Sequence, residues 1–219
     1  FPIESIKYCL KKSNLKISDI HHISINIDPK ANYLKKIFFL LKHRPNFKLV
    51  LNRFKKKKKY NSIKEIIESE FKDNNFYGKI NNIEHHYAHL SSAFHVSPYE
   101  ESCVLSVDGF GDFASTAWGY GNGNKIKIDN KVYFPHSLGI FYQAVTQYLG
   151  FKNYGDEYKI MGLAPYGKPT YVDQLKKILL IKSDGNFELN LDYFKFHKEN
   201  FNYRWENGKV EIDDLFTDK

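Results

Sequence analysis

Three of the nine histidines fall within five residues, in Glu84-His85-His86-Tyr87-Ala88-His89. On a helix, side chains four apart share a face, so His85 and His89 would project side by side and His86 elsewhere. Two adjacent imidazoles suit one divalent metal. They equally suit a hydrogen-bonded structural cluster. Asp108 follows the apolar run 103–107 and opens Asp108-Gly109-Phe110-Gly111-Asp112. A carboxylate at a strand end beside a glycine turn can join two histidines on a metal, leaving coordination positions open for substrate. Its bland alternative is a turn cap. Gly109, Gly111 and Asp112 are candidates for holding a phosphate, because glycine lets backbone N–H groups approach closely.

Other reactive residue types are less pointed. Lys159 lies near Asp156 and Glu157 in a distinctive stretch. It is a candidate for contacting a phosphate or steadying a domain interface, or else for a salt bridge to a nearby carboxylate. Ser137 reads as a helix N-cap rather than an acceptor-site residue. Phe141, Tyr142 and Tyr148 read as core. Cys103 reads as buried without an adjacent base, so a nucleophilic role is not expected. Two cysteines, Cys9 and Cys103, cannot build a disulfide framework, which fits a reducing cytoplasm.

Ordinary elements must position these groups. Ile3, Ile6 and Leu10 predict a helix stopping at Asn14, and residues 20–27 alternate as a strand ending at Asp28-Pro29. Residues 31–59 read as helical with a break at Pro45. Ser62 with Glu65 resembles a capping box opening a helix over 63–71. A short strand over 80–84 leads into a helix over 85–94. Strands are expected over 102–107, 114–120 and 125–134, with a turn at 108–112 and a hairpin at Gly121-Asn122-Gly123-Asn124. Helices are expected over 138–149 and 171–180, and a strand over 185–191. The tail after Tyr193 has weak periodicity. The strand over 20–27 is expected to join the other three in one mixed sheet with helices packed on it.

The 219 residues suffice for one sizeable domain or two small ones. With 42% hydrophobic and 26% charged residues, disorder is excluded, and no apolar run approaches the length of a membrane span. No leader opens the chain, so secretion is not expected. The net charge of +8 is concentrated: residues 30–59 hold 12 of the 33 basic residues and no acid. Such a segment can meet nucleic acid or an anionic surface, but most charge runs are solvated faces. It also lacks the aromatic interleaving of single-strand binders. Phe1 at the start and Met161 as the only methionine suggest a chain without its natural N-terminus.

Taken in order, the motifs resemble a known family. They are Glu84 to His89 followed by Ser92-Ala93-Phe94, then Ser97-Pro98-Tyr99-Glu100, Val107-Asp108-Gly109-Phe110-Gly111-Asp112 and Phe134-Pro135-His136-Ser137-Leu138-Gly139. The last is Tyr154-Gly155-Asp156-Glu157-Tyr158-Lys159-Ile160-Met161-Gly162-Leu163-Ala164-Pro165-Tyr166-Gly167. Their order and spacing are similar to the O-carbamoyltransferases of the nodulation-protein U and cephamycin or tobramycin carbamoyltransferase type, from about residue 1 to about residue 193.

The resemblance implies an α/β fold: an actin-like, ribonuclease H-like ATPase lobe with a mixed sheet flanked by helices, incomplete at both ends. Residues 1–219 would be part of the N-terminal carbamoyltransferase domain, with a basic helical insertion near 30–72 and the YrdC-like domain absent. It implies His85, His89 and Asp108 as metal ligands; beside it, the residues' own chemistry makes Asp108 and Lys159 the catalytic candidates and Gly109, Gly111 and Asp112 those at the cofactor. The implied cofactors are ATP and a divalent metal, iron first, with zinc or manganese as alternatives. The implied partners are carbamoyl phosphate, ATP and a hydroxyl acceptor, with no membrane, nucleic acid disfavoured and a homodimer allowed. The carbamoyl group would pass through carbamoyl-adenylate to a sugar or secondary metabolite. This chain alone would be inactive. A threonylcarbamoyl-tRNA-type transferase and a nucleic-acid-binding module are the competing readings.

Overall fold

The computed structural model describes residues 1–43, 63–71, 75–199, 202–206 and 208–218. The Ser62 cap, the Pro45 break and the lysine run 55–59 lie outside them.

Helix α1 (Ile3–Lys12) ends where Asn14 turns left-handed at φ 53°, a conformation asparagine tolerates better than most residues. Strand β1 (His22–Ile25) follows, then α2 (Tyr33–His43), α3 (Ile63–Glu70) and β2 (Lys79–Asn82). β1 and β2 pair in parallel, Ile23 opposite Ile80. Ile17, Ile63, Ile67 and Phe76 form a small core beside them.

Helix α4 (His85–Phe94) leads to an antiparallel meander of β3 (Glu101–Gly111), β4 (Ala114–Asn122) and β5 (Lys125–Tyr133). Gly123, at φ 56°, opens the two-residue β4–β5 turn. Leu90 and Phe94 of α4 pack on Val104, Ala117 and Ile126 of the sheet. Helix α5 (Leu138–Tyr148) starts at Ser137, whose Oγ accepts the Ile140 N–H at 3.1 Å, as expected of an N-cap. Further on come α6 (Glu157–Leu163), α7 (Val172–Leu175), the hairpin β6 (Leu179–Ile181) and β7 (Phe187–Leu189), and the hairpin β8 (Tyr203–Glu206) and β9 (Lys209–Ile212). Phe39, Phe134, Ile140, Leu189, Phe194, Phe196 and Leu215 form the largest core.

The fold is mixed α/β, but several expectations need correction. There is no single mixed sheet among the described residues: β1 pairs with β2 alone, and the meander stands apart. Each sheet is tied to its own core, which explains the division. The expected turn at 108–112 is instead the end of β3, bulged between Val107 and Gly111. The helix expected over 171–180 stops at Leu175, and β6 takes over where Leu179 can pair with Leu189. Cys103 is exposed, because β3 lies at the sheet edge and Cys103 falls on the face opposite α4. Tyr148, at the last turn of α5, is 82% exposed rather than core.

Candidate metal centre

Parallel pairing makes β1 and β2 end together, and the Ile83 N–H reaches the Ile25 carbonyl at 2.7 Å. That junction delivers residues 26–28 and the start of α4 to one place, the carboxyl ends of parallel strands where ligands commonly sit. Glu84 caps α4 by accepting the Tyr87 N–H at 2.9 Å, and its other oxygen meets Lys131 Nζ at 2.9 Å.

On α4, His85 and His89 do share a face. Their Nε2 atoms lie 3.0 Å apart, and Asp108 Oδ2 lies 2.8 Å from the first and 3.4 Å from the second. Ligand atoms bonded at about 2.0–2.2 Å to one ion lie roughly 2.9–3.5 Å apart, so this triangle has the size of a coordination face. His85 is partly buried, and the nearby Asn26 backbone adds to what favours its protonated form. His85 titrates above its ordinary value, mainly through its hydrogen bond to Asp108. Asp108 is held well below the usual carboxylate range, by His85 first and against its own burial. His89 is exposed and marks the solvent side of the triangle. Two imidazoles and an ionised carboxylate with one open side can take a divalent cation.

His86 takes no part. It is fully buried, bonded through Nδ1 to Ser106 Oγ at 2.9 Å, and its burial pushes its pKa down. It ties α4 to β3 and thereby holds its neighbours in place.

Asp112 and Gly111 already have tasks in the scaffold. Asp112 Oδ2 accepts the N–H groups of His85 (2.9 Å) and Asp28 (2.8 Å), and its carbonyl accepts from Asn32 Nδ2 (2.8 Å). A side chain at Gly111 would overlap the His85 imidazole, so glycine there makes room for the ring. Gly109 has open space around it, though its N–H is engaged by Asp108 Oδ1 at 2.6 Å. Sequence reasoning missed Ser137 as a site residue: its Oγ donates to the Asp108 carbonyl at 3.0 Å. Gly139 lets α5 come up against that same backbone, since a Cβ there would sit 2.8 Å from the Asp108 carbonyl. The motif containing Ser137 and Gly139 was visible; its contact with Asp108 required the fold.

Lys159 is not among the groups gathered here. Its ammonium pairs with Asp156 Oδ1 at 2.6 Å and lies over the Phe151 and Tyr158 rings, the salt-bridge alternative left open by the sequence. Among the described residues no helix is long and apolar enough to cross a membrane.

Comparison with known proteins finds related sequences. An uncharacterized protein of Synechocystis sp. is 35% identical over 207 residues, covering 90% of this chain and 33% of the relative. Nodulation protein NolNO of Sinorhizobium fredii is 32% identical over 200 residues, 87% of this chain and 27% of its own. Nodulation protein NolO of Bradyrhizobium diazoefficiens is 41% identical over 111 residues, 49% of this chain and 20% of its own. The chain thus spans a third or less of these three relatives. The model of the family described as "Carbamoyltransferase N-terminus" matches residues 1–218, and on that match the chain belongs to this family.

Proposed function

We propose that this chain supplies the metal-holding part of an O-carbamoyltransferase that carries a carbamoyl group to a hydroxyl of a sugar or secondary metabolite. The convergence of His85 Nε2, His89 Nε2 and Asp108 Oδ2 carries the reading. These three would hold a divalent cation, iron first on family grounds with zinc or manganese as alternatives. Such an ion, when bound, supplies Lewis acidity toward a phosphate or an acceptor oxygen.

The chain's own residues set the conditions for that chemistry. Asp108 stays ionised at neutral pH, and Ser137 and Gly139 fix its backbone. Asp112 anchors the His85 backbone. The open surroundings of Gly109 allow a phosphate-bearing ligand to approach beside Asp108. In this reading Gly111 and Asp112 serve the nucleotide side indirectly, through His85, and Lys159 steadies the 154–167 motif. Carbamoyl phosphate and ATP would be the carbamoyl source, by way of carbamoyl-adenylate. The three-stranded meander followed by a helix against its first strand supports an actin-like, ribonuclease H-like lobe, and a cytoplasmic setting accompanies it.

The test uses the longer protein with isotope-labelled carbamoyl phosphate, ATP and a panel of monosaccharide and aminoglycoside acceptors. Label should move to an acceptor with the natural sequence and fail to move with His85→Ala, His89→Ala or Asp108→Ala, each still folded by circular dichroism. Undiminished transfer in the Asp108 variant overturns the assignment.

A further inference from the structure

A cavity of about 570 Å³ opens between α2, the end of β5 and the β6–β7 hairpin. That is room for a ligand the size of a nucleotide or a disaccharide. Its lining is basic. Lys35, Lys42, Lys131 and Lys182 face it, against two carboxylates, Asp184 and Glu188. Both carboxylates are engaged. Asp184 accepts the Asn186 N–H (3.0 Å) and Nδ2 (2.7 Å), and Glu188 pairs with Lys182 at 2.9 Å. Lys131 is paired with Glu84.

Lys35 and Lys42 therefore carry the surplus. They stand two helical turns apart on one face of α2. Lys35 lies over the Tyr133 ring at 4.9 Å, and neither has a carboxylate partner among the described residues. His136, on the cavity wall, accepts the Leu189 N–H at Nδ1 (3.1 Å), which makes its other nitrogen the ring's donor. Unpaired ammonium groups beside an imidazole N–H suit a phosphate, for which lysine acts as a point charge. Among the described residues no arginine lines the cavity, so these offer no fork for a carboxylate.

Much of the remaining lining is aromatic. Phe39 is buried as a floor, edge-on to Phe113 and Phe134. Phe38 is 63% exposed at the rim and free to lie against a flat ring. We propose that this cavity binds a small organic phosphate carrying a flat ring, the phosphate at Lys42, Lys35 and His136 and the ring at Phe38. The proposal is independent of carbamoyl transfer and of the histidine–carboxylate triangle.

Isothermal titration of the full chain with inorganic phosphate, phenyl phosphate and phenol tests it. Phenyl phosphate should bind at least tenfold more tightly than phosphate, and phenol weakly. Lys42→Gln should weaken phosphate and phenyl phosphate about fivefold or more. Phe38→Ala should weaken phenyl phosphate alone. Both side chains are exposed, so thermal melts should confirm folded variants. His89→Asn should leave all three titrations unchanged. Three results would each overturn the proposal: no binding of phenyl phosphate, equal affinity for phosphate and phenyl phosphate, or a loss in His89→Asn without one in Lys42→Gln. The last would move the anion to the triangle.

Discussion

Two groups of histidines sit on either side of the α5 start, and their surroundings push them in opposite directions. His85 and His89 face a carboxylate, and His85 titrates upward because Asp108 favours its cation. His43, His136 and His197 lie among lysines and apolar walls. Burial is the first cause of a downward shift in all three, and the neighbouring lysines add to it. His197 falls to about 4. The same imidazole would therefore be part of the proposed cation site in one place and, at His43 and His136, a neutral wall of the proposed anion site in the other, while His197 is buried outside that cavity. The partners determine which, and those partners are distant in sequence. Asp108 lies 23 residues from His85, and Leu189, the hydrogen-bond partner of His136, lies 53 residues from it.

The comparison breaks most sharply at Asp108. Asp108→Asn should reduce binding of a divalent ion by roughly a hundredfold, measured by titration with zinc or iron(II), because it removes the only charged ligand of the triangle. Melting should change by only a few degrees. Metal affinity close to that of the natural sequence would mean that the triangle is a hydrogen-bonded cluster. The next largest effect belongs to Gly111→Ala. Its new methyl group would collide with the His85 ring, so the ring must rotate, and metal affinity should fall at least tenfold with Asp108 intact. An unchanged affinity would show that His85 is not a ligand.

Acid sharpens the contrast. The folded-state pKa of His197 lies below its unfolded value of about 6.5, so the unfolded chain binds more protons between there and about 4. Stability should fall as pH drops through that window, by at most about 3 kcal/mol, and His197→Phe should flatten this part of the curve. His85, shifted upward, acts with the other sign: its contribution is present below pH 6.5 and is lost as pH rises through its folded pKa. Asp108 adds acid sensitivity only below about pH 4, where its unfolded counterpart is protonated. Thermal melts of the natural sequence and His197→Phe between pH 7.5 and 3.5 separate these contributions. Parallel curves for the two proteins would remove His197 from the account.

This division also marks what could be read in the sequence. The triangle was legible because its two histidines share one helix, and because an apolar strand ending in Asp-Gly announces where a carboxylate will stand. The periodicity placed α4 at its observed bounds and β3, β4 and β5 within a few residues of theirs. The division into separate sheets was not legible, since parallel pairing of β1 with β2 joins residues more than fifty positions apart. The second histidine group was hidden for the same reason: α2, His136 and the β6–β7 hairpin meet only in the fold. The scaffold tasks of Gly111 and Asp112 were also invisible, because a glycine that makes room for a ring looks like one that makes room for a phosphate.

The smallest effect concerns the residue lying between the two groups. Ser137 follows His136 directly, caps α5 and donates to the Asp108 carbonyl. Ser115 Oγ accordingly holds the His136 carbonyl at 2.6 Å on the preceding residue. Ser137→Ala removes one N-cap and one bond to the Asp108 backbone, a loss of about 1 kcal/mol. In a domain of this size that lowers the melting temperature by about 2–4 °C. Because Gly139 still seats α5 against Asp108, metal affinity should fall less than tenfold. Phenyl phosphate affinity should stay the same, because the hydrogen bond from Leu189 to His136 does not pass through Ser137. Calorimetry and the two titrations on one variant measure all three. A loss at both sites together would show that residues 136 and 137 transmit strain between them, and that the two histidine groups are one mechanical unit.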